Sequence, residues 1–194
     1  MTLSREFEEA VAYANELHGS QRRKGSEIPY LSHLLAVASL VLEYGADETE
    51  AIAALLHDAA EDCGGAPRLA DIRQKFGARV AEIVEGCSDS LAVDPNAKAP
   101  WHPRKERYQN RLRDGSDPSV LLVSAADKLH NARATLADLR REGRSVWKRF
   151  TPPPADVLWN YERLSEIYNH AEDSRVRGLA AELDPVLEQM KQYA

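Results

Sequence analysis

The feature that most constrains the fold is a helix-forming segment, Glu48–Leu56, followed at once by side chains that bind metals or protons. The segment is rich in Ala, Ile and Leu and contains neither Gly nor Pro, which predicts a helix. The next six residues read His57-Asp58-Ala59-Ala60-Glu61-Asp62. On a continuing helix, residues three and four apart are neighbours, so all four polar side chains are expected to share one pocket wall. Burying them requires a cation or mutual pairing, and the alternative is a solvated helix end.

Nearly every other segment has helical periodicity, and the fold class we predict is all-α. Helix boundaries follow from capping residues, glycines and prolines. The predicted helices run from the N-cap Ser4 to Gly19, Pro29 to Tyr44, Asp47 to Gly64, Leu69 to Phe76, Ala78 to Val84, Pro103 to Arg113, Asp117 into the region after Leu129, Ala155 to Ala171 and Ser174 to Tyr193. We expect residues 1–194 to form one compact domain.

The segment Val120–Ala126 is apolar on all sides, which predicts a helix that runs through the core. A buried strand is the alternative, but the run continues without a turn signal into Lys128-Leu129, which favours a helix. Residues Ser88 to Pro100 contain Asp94-Pro95-Asn96 and are predicted to form a flexible loop. Thr151-Pro152-Pro153-Pro154 is a break before the two last helices.

The charge balance and composition exclude several classes of protein. The formal net charge of −6 disfavours general binding to a nucleic-acid backbone. The two cysteines, Cys63 and Cys87, have neither metal-ligand spacing nor the density of a secreted disulfide scaffold, so both are expected to be reduced. No signal peptide and no membrane-spanning run is recognisable. We therefore expect a cytoplasmic protein that binds a small molecule rather than a nucleic acid or a membrane.

Two further residues extend the candidate site to a metal centre. His33 opens the second helix, and Asp127 follows the apolar stretch of the core helix, where an isolated ionised carboxylate would be costly. Together with His57 and Asp58 they form a set of N and O ligands that suits Mn²⁺, Mg²⁺ or Fe²⁺ better than a thiolate zinc site. A histidine such as His33, taken alone, is more often a core or capping residue than a ligand.

Other residues near this set suggest roles in hydrolysis of a phosphorylated substrate. Glu61 and Asp62 lie one turn after the His-Asp pair, where a carboxylate can orient or deprotonate a water molecule. The loop Arg22-Arg23-Lys24 can contact a phosphate or stack on a base, although such loops are often simply solvated. Asn131 lies one turn after Asp127 and is expected to reach the same pocket. The basic cluster Arg104-Lys105-Glu106-Arg107 gives a weaker signal.

Three motifs in order resemble the HD-type hydrolase domain of RelA/SpoT proteins. They read Gln21-Arg22-Arg23-Lys24-Gly25 with Pro29-Tyr30-Leu31-Ser32-His33, then Leu55-Leu56-His57-Asp58-Ala59-Ala60-Glu61-Asp62, then Ala126-Asp127-Lys128-Leu129-His130-Asn131. The match covers about the first 140 residues, and residues 151–194 would be C-terminal helices that pack on this core. No synthetase region follows, so the chain resembles a stand-alone small alarmone hydrolase, similar to those of the metazoan branch.

The resemblance implies a helical HD domain that holds one Mn²⁺ through His33, His57, Asp58 and Asp127. It implies that Glu61 and Asp62 handle the attacking water and that the 3′-pyrophosphate is removed from guanosine tetra- or pentaphosphate. It also implies nucleotide contacts. The resemblance assigns those contacts to Arg23, Lys24, Asn131 and Tyr161. For Tyr161, spacing alone favours core packing instead.

Two departures from the family pattern leave alternatives open. Leu34 follows His33 where a proline is usual, and Ala134 stands where alarmone hydrolases commonly have a threonine. Leu34 affects the local backbone rather than coordination, but Ala134 and the loosely matching segment from Trp101 to Arg113 leave room for another substrate. An HD phosphohydrolase of another nucleotide, such as one that removes the 2′-phosphate of NADPH, is therefore the second hypothesis. A non-catalytic nucleotide sensor is the third, and the presence of both Glu61 and Asp62 argues against it.

Overall fold

The computed structural model describes residues 2–94, 97–115 and 117–194, and this part of the chain is helical and contains no β-strand. The Pro95-Asn96 portion of the predicted loop lies outside the described residues. The α-helices are α1 (Arg5–His18), α2 (Leu31–Glu43), α3 (Glu48–Leu56), α4 (Ala59–Asp62), α5 (Gly65–Cys87), α6 (Trp101–Arg113), α7 (Pro118–Glu142), α8 (Pro154–Asn169) and α9 (Ser174–Lys191), with a 3₁₀ helix at Gly143–Arg149. The all-α prediction is confirmed.

The chain divides into two compact units, Met1–Tyr108 and Gln109–Ala194. In the first unit α3 packs against α1, α2 and α5. All residues of α3 from Glu50 to Leu56 are buried, because this helix has neighbours on several sides. Asp47 and Glu50 form a capping box that fixes the start of α3.

In the second unit α7 packs against α8, α9 and the 3₁₀ helix. Asp117 caps α7 and Pro118 occupies its first turn, as predicted. Every residue from Ser119 to Asp127 is buried, so the predicted core helix is confirmed and the strand alternative is wrong. The 3₁₀ helix at Gly143–Arg149 was not predicted, because seven residues are too few for a periodic signal.

The predicted C-terminal end of the third helix is wrong. We expected it to continue to Gly64, but α3 ends at Leu56 and the four-residue α4 follows after His57 and Asp58. The Nδ1 of His57 lies 2.8 Å from the Ala54 carbonyl, the group that would accept the Asp58 amide in a continuing α-helix. This side-chain hydrogen bond competes with the helical one, and Asp58 has φ −92° and ψ −9°.

Three smaller predictions have clear outcomes. The break at Gly77 is confirmed, since α5 is interrupted there by φ +86° and ψ 167°, a conformation that favours glycine. Neither Cys63 nor Cys87 forms a disulfide bond. Across the described ranges, every helix is too short or too polar to cross a lipid bilayer.

Candidate active site

The site is built around three residues of the first unit, His33, His57 and Asp58. One ligand atom from each lies within 4.8 Å of the others. The Nε2 of His57 is 3.0 Å from Asp58 Oδ2, and the Nε2 of His33 is 3.6 Å from the same oxygen. Both histidines are almost fully buried. This geometry fits a divalent cation, because two imidazoles and a carboxylate converge on one point.

The tautomer of His57 is set by its backbone contact. The Ala54 carbonyl 2.8 Å from Nδ1 can only accept, so Nδ1 carries a proton and Nε2 is the nitrogen that faces Asp58. This arrangement is typical of metal-binding histidines, whose second nitrogen donates to a fixed acceptor.

Tyr30 is a residue that the sequence analysis did not assign to the site. Its hydroxyl donates a 2.6 Å hydrogen bond to Asp58 Oδ2, and its ring contacts His33 edge-on at 5.4 Å. Tyr30 precedes His33 by three residues, so helical spacing would have been a usable signal. The guanidinium of Arg23 lies 5.8 Å from the centre of the Tyr30 ring, which places this predicted substrate residue beside the cluster.

Backbone hydrogen bonds hold the basic loop, Arg22-Arg23-Lys24, in a turn. The Arg23 amide donates to the Ile28 carbonyl at 2.8 Å, and the Tyr30 amide donates to the Gln21 carbonyl at 3.0 Å. These pairs fold residues 21–30 back on themselves. Arg23 is half-buried in this turn, whereas Lys24 is exposed.

Two side-chain hydrogen bonds connect Asp62 to His18 at the end of α1. The buried His18 donates from Nδ1 to the Gln21 side-chain oxygen at 2.7 Å, and Gln21 Nε2 donates to Asp62 Oδ2 at 3.1 Å. Burial raises the pKa of Asp62, and the negative charge of Asp58 adds to the effect.

Glu61 faces a different set of partners. It accepts a hydrogen bond from the Asp89 amide at 3.1 Å, and Lys98 Nζ lies 3.3 Å from its Oε1. Burial raises the pKa of Glu61 to about 7, and the nearby charges of Asp89 and Asp58 contribute. A carboxylate with a pKa near neutrality can accept and release a proton at neutral pH.

The remaining predicted residues lie in the second unit. Asp127 is 6% exposed on α7, forms an ion pair with Lys128, and accepts a hydrogen bond from Asn131 at 2.5 Å. The predicted burial of Asp127 and its shared face with Asn131 are therefore confirmed. Its carboxylate is not isolated, however, since Lys128 and Asn131 accompany it. Tyr161 is buried on α8.

A cavity of about 630 Å³ also lies in the second unit. It has an apolar lining that includes Leu112, Leu121 and Ile167, together with the charged Arg163 and Glu166. Asp127, Asn131 and Tyr161 do not line it. This cavity is thus separate from Asn131 and Tyr161, the residues of this unit that were predicted to contact the nucleotide.

Comparisons with known proteins identify a family model and several relatives that resemble this chain. The family model described as HD domain matches residues 10–152. A guanosine-3′,5′-bis(diphosphate) 3′-pyrophosphohydrolase of Aquifex aeolicus is 37% identical over 140 residues, which cover 72% of this chain and 19% of that protein. A probable GTP pyrophosphokinase of Mycobacterium leprae is 36% identical over 166 residues, which cover 80% of this chain and 20% of that protein. The chain thus spans about a fifth of the length of these curated relatives.

Two solved structures resemble the whole chain or most of it. A metazoan orthologue of SpoT that hydrolyses ppGpp matches with a TM-score of 0.73 and 26% identity, over 97% of each chain. A protein of Listeria monocytogenes matches with a TM-score of 0.65 and 26% identity, over 80% of this chain and 99% of the other.

Proposed function

This chain belongs to the HD domain family, and we propose that it is a metal-dependent hydrolase that removes the 3′-pyrophosphate of guanosine tetra- and pentaphosphate. The observation that carries the proposal is the cluster of His33, His57 and Asp58, with Glu61 and Asp62 one turn away. The products would be GDP or GTP and pyrophosphate.

His33, His57 and Asp58 would hold one divalent cation, and Asp127 remains our sequence-based prediction for a further ligand. We propose Mn²⁺, with Mg²⁺ and Fe²⁺ as the other metals that suit this donor set. When bound, the cation would lower the pKa of water and neutralise charge that develops on the phosphate oxygens.

Glu61 would accept a proton from the attacking water. The water oxygen would form a bond to the phosphorus nearest the ribose, and the bond between that phosphorus and the 3′ oxygen would break. The 3′ oxygen would leave with the electron pair and take up a proton, and pyrophosphate would be released. Asp62, held by Gln21, would orient the water.

The basic loop would bind the nucleotide. Arg23, beside Tyr30, has a flat guanidinium that can stack on guanine, and the exposed Lys24 can contact a phosphate. Asn131 and Tyr161 remain predictions for further nucleotide contacts.

The test is a parallel assay of phosphate and pyrophosphate release from guanosine tetraphosphate and from NADPH. The full chain is stripped with EDTA and resupplied with Mn²⁺, and Asp58→Asn serves as the inactive control. Pyrophosphate released from guanosine tetraphosphate supports the proposal. Phosphate released from NADPH alone would replace it with the second hypothesis, and nucleotide binding without turnover would favour a sensor.

A further inference from the structure

A buried carboxylate, Asp89, connects the charged groups around Glu61. Its side chain is 3% exposed and accepts hydrogen bonds from Arg104 on both oxygens. Lys105 Nζ lies 2.5 Å from Asp89 Oδ2. The backbone amide of the same residue donates to Glu61 Oε2 at 3.1 Å. Asp89 therefore contacts two cations through its side chain, and it contacts Glu61 both through its backbone amide and through a hydrogen bond between the two carboxyl groups.

Asp89 and Glu61 compete for the same cation. Arg104 Nη1 is 3.6 Å from Glu61 Oε1, too far for a hydrogen bond, while it bonds directly to Asp89. A hydrogen bond between a charged guanidinium and a carboxylate is stronger than one between neutral groups. Burial alone would raise the pKa of Asp89, but the ion pairs with Lys105 and Arg104 hold it well below its usual range.

We propose that Asp89 is a positioning residue that keeps Arg104 and Lys105 engaged and fixes Glu61 through its amide, so that Arg104 does not hydrogen-bond to Glu61. Lys98, at 3.3 Å, and the charge of Asp58 are the other groups that act on Glu61. This inference rests on the proposed function, in which Glu61 accepts the proton of the attacking water.

Asp89→Asn tests this role because the substitution keeps the size and the backbone amide but removes the charge. Arg104 and Lys105 then lose their counterion, and Glu61 is the carboxylate nearest to Arg104. We expect kcat to fall about ten- to a hundredfold. The acid limb of the pH profile of kcat/KM should move to lower pH, while the affinity for Mn²⁺ stays within about twofold of wild type. Asp71→Asn, which removes an ion pair with Arg68 in the same unit, is the matched control and should leave the pH profile unchanged.

A second measurement does not depend on activity. In metal-free protein with ¹³C-labelled glutamate carboxyls, the Glu61 signal is identified by its loss in Glu61→Gln, and its titration is followed by NMR. We expect a lower pKa of Glu61 in Asp89→Asn and a higher one in Arg104→Gln, which also serves if Asp89→Asn does not fold. If these pKa shifts occur but the wild type hydrolyses no nucleotide, the proposed function fails and the positioning role stands. Unchanged pKa values would overturn the role of Asp89.

Discussion

The hydroxyl of Tyr30 donates a 2.6 Å hydrogen bond to the carboxylate oxygen of Asp58 that also faces His33 and His57. This contact joins the loop that carries Arg23 to the candidate metal ligands. It restricts the rotation of the Asp58 side chain, so the ligand is already oriented before a cation arrives.

Tyr30→Phe should therefore weaken metal binding, since Asp58 loses the group that orients it. We expect the Kd for Mn²⁺ to rise about ten- to a hundredfold, measured by isothermal titration calorimetry on EDTA-treated protein. Tyr13→Phe is the control, because Tyr13 donates to Asp71, which is not among the candidate ligands. Equal affinities in both variants and the wild type would show that Tyr30 has no such role.

Asp127→Asn tests the ligand that was predicted from the sequence. If Asp127 binds the cation, the substitution should raise the Kd for Mn²⁺ by more than about tenfold and abolish turnover. Asp138→Asn on the same helix removes a carboxylate 2.6 Å from Arg149 and should change neither quantity. Wild-type affinity and turnover in Asp127→Asn would restrict the metal ligands to His33, His57 and Asp58.

Local patterns predicted the helices well, but contacts between distant parts of the chain escaped them. Periodicity and capping residues identified α1, α7 and the break at Gly77, because these depend on residues within a few positions. The turn at His57 and Asp58 was missed because a single side-chain hydrogen bond to Ala54 decides it. Asp89 carries no periodic signal, and its importance becomes visible once α6 places Arg104 and Lys105 beside it.

Glu61→Gln should separate catalysis from metal binding. The side-chain oxygen of glutamine still accepts the hydrogen bond from the backbone N–H of Asp89, but the glutamine side chain cannot accept a proton from water. We expect kcat to fall about 10²- to 10⁴-fold with an unchanged Kd for Mn²⁺. Glu82→Gln, at an exposed position of α5, should retain full activity. A loss of metal binding in Glu61→Gln would instead make Glu61 a ligand.

The same substitution should change how stability depends on pH. A carboxyl whose pKa is raised in the folded state, here from 4.5 to about 7, stabilises the fold below its unfolded pKa. That contribution is lost as the pH rises from 4.5 through the folded-state pKa of about 7. In this range the unfolded chain releases the Glu61 proton while the folded chain still holds it. Metal-free Glu61→Gln should therefore be more stable than wild type at pH 8, by about 3 kcal/mol at about 1.4 kcal/mol per pKa unit. The difference in free energy of unfolding, measured in urea, should shrink towards zero below pH 4.5; a constant difference would contradict the raised pKa.

Gly65→Ala tests how the loop that carries Asp89 is held against α5. The Ala66 amide donates to the Leu91 carbonyl at 3.2 Å, and a Cβ on Gly65 would lie 2.4 Å from that carbonyl oxygen. The neighbouring Gly64 also has a positive φ, but a Cβ there would meet Arg68 at an ordinary 3.6 Å. The φ of +64° at Gly65 lies in the left-handed region, which costs alanine about 1–2 kcal/mol, whereas the φ of +130° at Gly64 is more strained. Urea unfolding should show that Gly65→Ala is destabilised by more than about 2 kcal/mol relative to wild type, because the clash adds about 1–3 kcal/mol to the backbone strain. A loss no larger than the backbone strain would mean that the loop, and Asp89 with it, can shift without cost.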